Sequence, residues 1–141
     1  MFGTLDHIGL VVRDLDASVE AAREVFGLEL ARMAPLADYA IDAAFLGEGR
    51  GTLEIFTFTD PEVLEPRLAG ADQRLDHVAL RVADLDALAA ALGAAGARFV
   101  TPDRRHELSA PLELGGWRNL WTLPDTTGGL ALQLIQPPPG Q

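Results

Sequence analysis

The chain has 141 residues, of which 48% are hydrophobic and 23% charged, with a formal net charge of −10 at pH 7 and no cysteine. This composition is typical of one globular domain, and the acidic balance argues against a nucleic-acid-binding or anionic membrane surface, which needs clustered basic residues. The missing cysteine excludes disulfides, thiolate metal ligands and cysteine nucleophiles.

The first half of the chain predicts the order strand, helix, strand, strand, strand. Alternating apolar residues mark a strand at 5–12, and a helix capped by Asp14 or Asp16 is expected over about 17–26. Further strands are predicted at 28–34, 41–46 and 52–59, with a glycine-rich turn at 47–51. We therefore assign residues 1–60 to a first βαβββ module.

The second half repeats this order after a short polar connector, residues 61–70, in which at most one helical turn is expected. A strand at 75–82 precedes an alanine-rich helix capped by Asp84 or Asp86. Strands are then predicted at 97–101, 117–123 and 129–136, with a long loop over 102–116. Residues 71–136 thus form a second module, and the two modules make up a single domain.

Two twelve-residue segments indicate that the modules are copies of one unit. Residues 5–16 read Leu-Asp-His-Ile-Gly-Leu-Val-Val-Arg-Asp-Leu-Asp, and residues 75–86 read Leu-Asp-His-Val-Ala-Leu-Arg-Val-Ala-Asp-Leu-Asp. Each segment contains one histidine, His7 or His77. A duplicated unit with one metal-capable side chain per copy predicts a pseudo-twofold fold with a site between the copies.

Strand alternation predicts which way the polar side chains point. His7 and His77 lie opposite the apolar residues that suit packing on a helix, so both histidines are expected to face away from the helices. Glu54 and Gln133 interrupt the apolar last strands, in the runs Leu-Glu-Ile and Leu-Gln-Leu, and they correspond under the repeat. Four candidate ligands therefore come from two pairs of equivalent positions.

Two imidazoles, a carboxylate and an amide oxygen form a donor set for one divalent metal ion. Octahedral Mn, Fe, Co or Ni, with two positions open for water or substrate, fits this set better than closed tetrahedral zinc, which also binds such donors. Taken alone, each residue has a structural explanation, as a hydrogen-bonded strand histidine or a solvent-facing polar side chain. Their coincidence at equivalent positions favours the metal site.

Other motifs carry weaker signals. The segment 47–51 lacks the lysine and the following helix of a phosphate-binding loop, so it indicates a hairpin turn. The basic run 104–106 either clamps an anionic ligand or is solvated. Trp117 and Trp121 lie four positions apart on one strand and hence share a face, where they either wall a cavity or pack in the core.

The doubled Leu-Asp-His opening, the Asp-Leu-Asp helix starts, the Phe-Gly-Leu-Glu-Leu run and the segment 123–134 resemble the vicinal oxygen chelate superfamily. That group includes glyoxalase I, methylmalonyl-CoA epimerase, extradiol dioxygenases and bleomycin-resistance proteins. The Thr-Gly-Gly-Leu run is most similar to the epimerase branch. The resemblance implies an α+β fold in which two tandem βαβββ modules form a cupped, partly open mixed β-sheet with helices on the outside. It places the four metal ligands at His7, Glu54, His77 and Gln133.

Departures from the superfamily pattern bear on the chemistry. The last ligand is usually glutamate, which in the epimerases and glyoxalases is tied to proton transfer. Gln133 can ligate through its amide oxygen but cannot act as a base. The aromatic pair common in the first helix is replaced by Ala21 and Ala22. Asp38 lies near the place where the epimerases hold a second acid/base group.

Three functions remain open at this point. The first is a metal-dependent lyase or isomerase that chelates two neighbouring oxygens of a small carbonyl substrate, with Glu54 or Asp38 as the catalytic proton carrier. The second is a metal-free protein that binds a hydrophobic ligand or an antibiotic, and the third is a ferrous ring-cleaving dioxygenase. The residues expected to line the substrate pocket are Phe56, Phe58, Arg81, Trp117 and Trp121.

No targeting or membrane signal is found in the sequence. No run approaches the ~18 consecutive apolar residues that a membrane span needs, and the first residues lack a basic segment followed by an apolar one. We therefore expect a cytoplasmic protein, with a small-molecule ligand but no nucleic-acid or membrane partner. The family resemblance implies a homodimer.

Overall fold

The computed structural model describes residues 2–141, and within them the chain forms nine β-strands and three α-helices. The strands are β1 (Leu5–Val12), β2 (Leu30–Met33), β3 (Ile41–Leu46), β4 (Leu53–Phe58), β5 (Gln73–Arg81), β6 (Phe99–Val100), β7 (Leu112–Leu114), β8 (Trp117–Thr122) and β9 (Leu132–Gln136). The helices are α1 (Leu15–Glu24), α2 (Pro61–Leu68) and α3 (Leu85–Ala94), with short 3-10 helices at Ala37–Tyr39 and Pro124–Thr126. The predicted α+β class with an open mixed sheet is confirmed.

The chain divides into two compact units whose boundaries fall inside β1 and β5. One unit is His7–Asp76, and the other joins the residues up to Asp6 to His77–Gln141. None of the helices within residues 2–141 is long and apolar enough to cross a membrane.

In the unit His7–Asp76 the strand order is β2-β3-β4-β1. The pairs β2–β3 and β3–β4 are antiparallel, whereas β4 runs parallel to β1. Gly9 of β1 and Phe45 of β3 both lie opposite Glu54 of β4. Because residues directly opposite one another point to the same face of a sheet, this register fixes the face on which Glu54 lies.

Alternate residues of these strands pack against different helices. Val12 and Ile55 belong to a core cluster with Ala22 of α1. The neighbouring residues Val11 and Phe56 point to the other face, where they cluster with residues of α2. The face that carries His7 is therefore partly covered by α2, although the sequence predicted no helix on that side.

The segment between the modules forms the eight-residue helix α2 rather than a polar connector with at most one turn. The side chain of Asp60 caps its start by accepting a hydrogen bond from the N–H of Glu62, and Pro61 occupies the first turn, where its missing N–H is not needed. Its buried residues are Val63, Leu64 and Leu68. Their burial is the reason why the segment is helical despite its charged composition.

In the other unit the strand order is β5-β9-β8-β6, and β7 pairs with β8. The strand β5 is parallel to β9, with Ala79 opposite Gln133, and the remaining pairs are antiparallel. The strand β7 lies in the predicted loop 102–116, and Gly115 and Gly116 close its hairpin with β8, both at positive φ. Two consecutive residues with positive φ are typical of the two-residue hairpin turn that glycine favours.

The helix α3 covers one face of this second unit. A core cluster joins the helix residues Leu85 and Leu88 to Leu120 of β8 and Leu134 of β9. These strand residues alternate with Asn119, Trp121 and Gln133, which therefore point to the opposite face.

The first aspartate of each Asp-Leu-Asp run caps the following helix. Asp14 accepts a hydrogen bond from the N–H of Ala17, and Asp84 accepts one from the N–H of Ala87. Because both carboxylates satisfy an otherwise unpaired N–H of the first turn, the repeated motif starts the helix in the same way in both copies.

Candidate metal centre

His7 and Glu54 lie side by side in the unit His7–Asp76. Glu54 is opposite Gly9, two positions beyond His7, so the two side chains share one face of the sheet. The Nε2 atom of His7 is 3.6 Å from Oε1 of Glu54, and the side chains are 3% and 15% exposed. An imidazole and a carboxylate thus meet where little water reaches them.

An aromatic ring positions the His7 imidazole. The His7 and Phe45 rings form a T-shaped pair, with a centroid distance of 5.0 Å and an interplanar angle of 85°. The guanidinium of Arg32 covers the Phe45 ring at 3.9 Å from its centroid. The imidazole therefore has the Phe45 ring and the Glu54 carboxylate as neighbours, which restricts its rotation.

His77 and Gln133 share a face in the other unit. Gln133 is opposite Ala79, two positions beyond His77, which is the same relation that joins Glu54 to His7. His77 and Gln133 are each 8% exposed. The Nε2 of Gln133 donates a hydrogen bond to Oδ1 of Asn119 at 3.0 Å.

His7 and Glu54 offer two ligand atoms 3.6 Å apart in one unit, and His77 and Gln133 hold the equivalent strand positions in the other unit. Donor atoms about 2.1 Å from a shared ion lie about 3 to 4 Å apart at an octahedral site, so the His7–Glu54 pair has the required spacing. Two imidazoles and a carboxylate are donors that divalent first-row metals accept. The residues therefore fit a divalent metal ion.

The aspartate before each histidine is part of an ion pair that the sequence analysis missed. Asp76 accepts two hydrogen bonds from Arg67, both 2.8 Å long, and the two side chains are 5% and 10% exposed. Asp6 accepts one hydrogen bond of 2.7 Å from Arg81. The recurrence of aspartate in both Leu-Asp-His runs was the signal available in the sequence.

The predicted pocket residues have different surroundings in the structure. Phe56 and Phe58 are buried in the core cluster with α2, so they present little surface to a ligand. Trp121 lies opposite Gln133 and hence on the same face. The guanidinium of Arg81 lies 5.2 Å from the ring centroid of Trp117.

The acidic residue suggested as a second acid/base group lies outside the buried cluster. Asp38 is exposed on the short 3-10 helix Ala37–Tyr39, which precedes β3. The basic run 104–106 is also exposed, and its loop is ordered by hydrogen bonds from Thr101 and Arg105 to the side chain of Asp103.

Comparisons with known proteins agree with this geometry. The sequence model of the Glyoxalase/Bleomycin resistance protein/Dioxygenase superfamily matches residues 4–110, a stretch that contains His7, Glu54 and His77. None of the curated protein sequences compared with the chain matches it significantly.

Solved structures with the same fold include methylmalonyl-CoA epimerases. The enzyme from Mycobacterium tuberculosis is 26% identical, with a TM-score of 0.80 over 96% of this chain and 89% of that one. A single-residue variant of the Streptomyces coelicolor enzyme, in complex with 2-nitronate-propionyl-CoA, is 24% identical, with a TM-score of 0.79 over 97% and 99% of the two chains. A hypothetical protein from Bacillus halodurans is 18% identical, with a TM-score of 0.76 over 94% and 93%. The chain belongs to the Glyoxalase/Bleomycin resistance protein/Dioxygenase superfamily.

Proposed function

We propose that the protein is a metal-dependent epimerase or isomerase that moves a proton on the carbon beside a carbonyl group. The observation that carries this proposal is the buried His7–Glu54 pair, whose ligand atoms lie 3.6 Å apart, with a second histidine and an amide oxygen at the equivalent positions of the other unit. The similarity to methylmalonyl-CoA epimerases supports it and suggests thioesters of coenzyme A as the substrates to test first.

His7, Glu54, His77 and Gln133 are the residues that would hold the metal ion. A bound divalent ion would act as a Lewis acid on the substrate's neighbouring oxygens and stabilise the negative charge that develops when the adjacent carbon loses a proton. An imidazole binds a metal ion as a neutral donor, and the Gln133 amide is neutral as well. The set therefore carries a single carboxylate.

Glu54 is the residue that we assign to proton transfer. It is the only carboxylate among the four proposed ligands, and its side chain is only 15% exposed. An acid/base group must reach the substrate carbon, and a carboxylate beside the oxygens that bind the ion is suited to this. Gln133 cannot share the role, because a carboxamide is neither a base nor an acid near neutral pH.

Inversion at a carbon needs a second group on the opposite side. One group takes the proton from one face of the carbon, and another delivers a proton to the other face. We propose Asp38 as this second group, because it lies in the same unit as Glu54 and the superfamily resemblance places an acid near it. Its exposure lets it exchange protons with water between turnovers.

Hydrogen–deuterium exchange in D₂O tests the proposed chemistry even where the product of the reaction is unidentified. The cobalt-loaded protein is incubated with a panel of 2-substituted acyl-CoA thioesters and of 2-hydroxy ketones, and proton NMR follows loss of the signal next to the carbonyl. We expect exchange with at least one compound, and its abolition in Glu54→Gln. Absence of exchange across the panel in a protein shown to hold cobalt would contradict the proposal.

A ferrous dioxygenase is the second candidate, because two histidines and one carboxylate are also the donor set of ferrous oxygenases. Oxygen uptake with catechols after anaerobic loading with iron distinguishes the two functions. Uptake in place of deuterium exchange would favour the dioxygenase. A metal-free hydrophobic binding site has less support, since Phe56 and Phe58 are buried in the core.

We also infer that the protein is a homodimer in the cytoplasm. Large apolar side chains are exposed at the end of α1 and on β2, among them Phe26, which is 75% exposed, and Met33, which is 56% exposed. Patches of this kind often mark protein interfaces. Light scattering coupled to gel filtration should give twice the mass of the chain.

A further inference from the structure

Gln133 belongs to a chain of hydrogen bonds that runs along β8 and β9. The Nδ2 of Asn119 donates to the carbonyl oxygen of Trp117 at 3.1 Å, and the Nε2 of Gln133 donates to Oδ1 of Asn119 at 3.0 Å. Asn119 is 4% exposed and Gln133 is 8% exposed. Water therefore competes little for these bonds.

The direction of this chain is fixed at its first member. A backbone carbonyl can only accept, so Asn119 must turn its NH₂ group towards Trp117. The oxygen of Asn119 then faces Gln133, which must in turn present its own NH₂ group. A flipped carboxamide at either residue would bring two oxygens or two NH₂ groups together in a buried place.

The oxygen of Gln133 lies on the other side of the same carboxamide. Within residues 2–141, Asn119 is the one hydrogen-bond partner of the Gln133 side chain, so Oε1 accepts no hydrogen bond from the protein. An amide oxygen that accepts no hydrogen bond from the protein is available to a cation. Gln133 also shares its face with His77.

We propose that Asn119 is a positioning residue that holds Gln133 with its oxygen directed at the metal ion. This inference rests on the metal-dependent function proposed above. Asn119 makes Gln133 a permanently oriented neutral ligand. It also opposes a glutamate at position 133, because the Asn119 oxygen would then face a carboxylate.

Cobalt binding measured by calorimetry tests the role of Asn119. Asn119→Leu keeps the approximate volume and removes the acceptor, and loss of such an outer partner weakens metal binding about 10- to 100-fold. The matched control is Thr122→Val, on the same strand but on the opposite face. It removes buried hydrogen bonds to Leu130 and Leu132. We expect the control to lower thermal stability and leave cobalt affinity unchanged.

A double-mutant cycle separates positioning from general damage. In a Gln133→Ala background the amide that Asn119 orients is gone, so Asn119→Leu should weaken cobalt binding by no more than about twofold. If Asn119→Leu binds cobalt as tightly as the unmodified chain, or weakens it equally in both backgrounds, the positioning role is wrong and the proposed function stands. If the unmodified chain binds no cobalt, the proposed function itself fails, and this inference fails with it.

If Asn119→Leu does not fold, the proposal can be tested on the unmodified protein. In ¹⁵N-labelled protein the side-chain NH₂ of Gln133 should exchange slowly with water, both before and after zinc is added, because it stays bonded to Asn119. Exchange at the rate of an exposed amide in the zinc-loaded protein would overturn the proposal.

Discussion

The two halves of the candidate metal centre share their strand positions and differ in the second donor. Glu54 and Gln133 occupy equivalent places relative to His7 and His77, but Glu54 contacts the imidazole, whereas Gln133 is bound to Asn119. One half can therefore exchange a proton, and the other offers a fixed neutral oxygen. Equivalent strand positions thus carry side chains of different chemistry in the two copies of the repeat.

The aspartates before the two histidines differ in a similar way. Asp76 and Arg67 form a buried bidentate pair, while Asp6 and Arg81 form a single hydrogen bond with the arginine 37% exposed. Bidentate buried pairs fix geometry more tightly than exposed ones. The strand that carries His77 is thus anchored more firmly at its aspartate than the strand that carries His7.

Replacing Glu54 by glutamine should have the largest effect on activity, and this variant distinguishes the two halves of the candidate metal centre most clearly. Glu54→Gln keeps an oxygen ligand but removes the proton carrier, so kcat for deuterium exchange should fall about 10²- to 10⁴-fold. Calorimetry should show that cobalt is still bound. The reciprocal change, Gln133→Glu, should not restore activity to Glu54→Gln, because the new carboxylate faces Asn119. Restored exchange in that double variant would refute the division of roles.

The next largest effect is expected on the free energy of unfolding when the arginine partners of Asp6 and Asp76 are removed. Arg67→Met leaves Asp76 buried without its partner and should lower the free energy of unfolding by about 3 to 5 kcal/mol. Arg81→Met removes a single hydrogen bond to Asp6 from an arginine that is 37% exposed, so the loss should be smaller, about 1 kcal/mol. Urea denaturation monitored by tryptophan fluorescence measures both. Equal losses would show that the two anchors do not differ.

The smallest effect is expected on Tm, when an ion pair at the surface is removed. The hydrogen bond from Arg98 lowers the pKa of Glu107 below its ordinary 4.5, so the pair's contribution to stability is present above that pH and is lost as the pH falls through the lowered value. Arg98→Met should lower Tm slightly near pH 7 and not at all near pH 2. A Tm difference that persists in acid would show that Arg98 acts through packing instead.

Strand alternation and repetition were enough to predict the main parts of the fold. The bounds of β1 and β3 agree with the prediction, because both strands have clear apolar patterns between turn residues. The same alternation predicted that His7 and Glu54 share a face. The helix α2 was not predicted because its apolar residues are few and lie among charged ones. The strand β7 was not predicted because three residues are too few to show an alternating apolar pattern.

The hydrogen-bond partners of the site residues could not be read from the sequence. Asn119 is an ordinary polar residue in a strand, and its bond to Gln133 depends on the register of β8 against β9. The burial of Phe56 and Phe58 likewise depends on α2, so their predicted place in a pocket could not be judged before that helix was known. Tertiary contacts decide these features, whereas local pattern decides the strands.

Metal content tests the central claim most directly. Protein is loaded with cobalt, freed of excess ion and analysed for cobalt content by elemental mass spectrometry. The variant His77→Ala is treated in the same way, as is the control His106→Ala, which changes an exposed loop histidine. We predict one ion per chain in the unmodified protein and in His106→Ala, and almost none in His77→Ala, because loss of a direct ligand should weaken binding more than the ~10- to 100-fold loss typical of an outer partner. An unmodified chain without cobalt, or a His77→Ala variant that keeps its full share, would contradict the account.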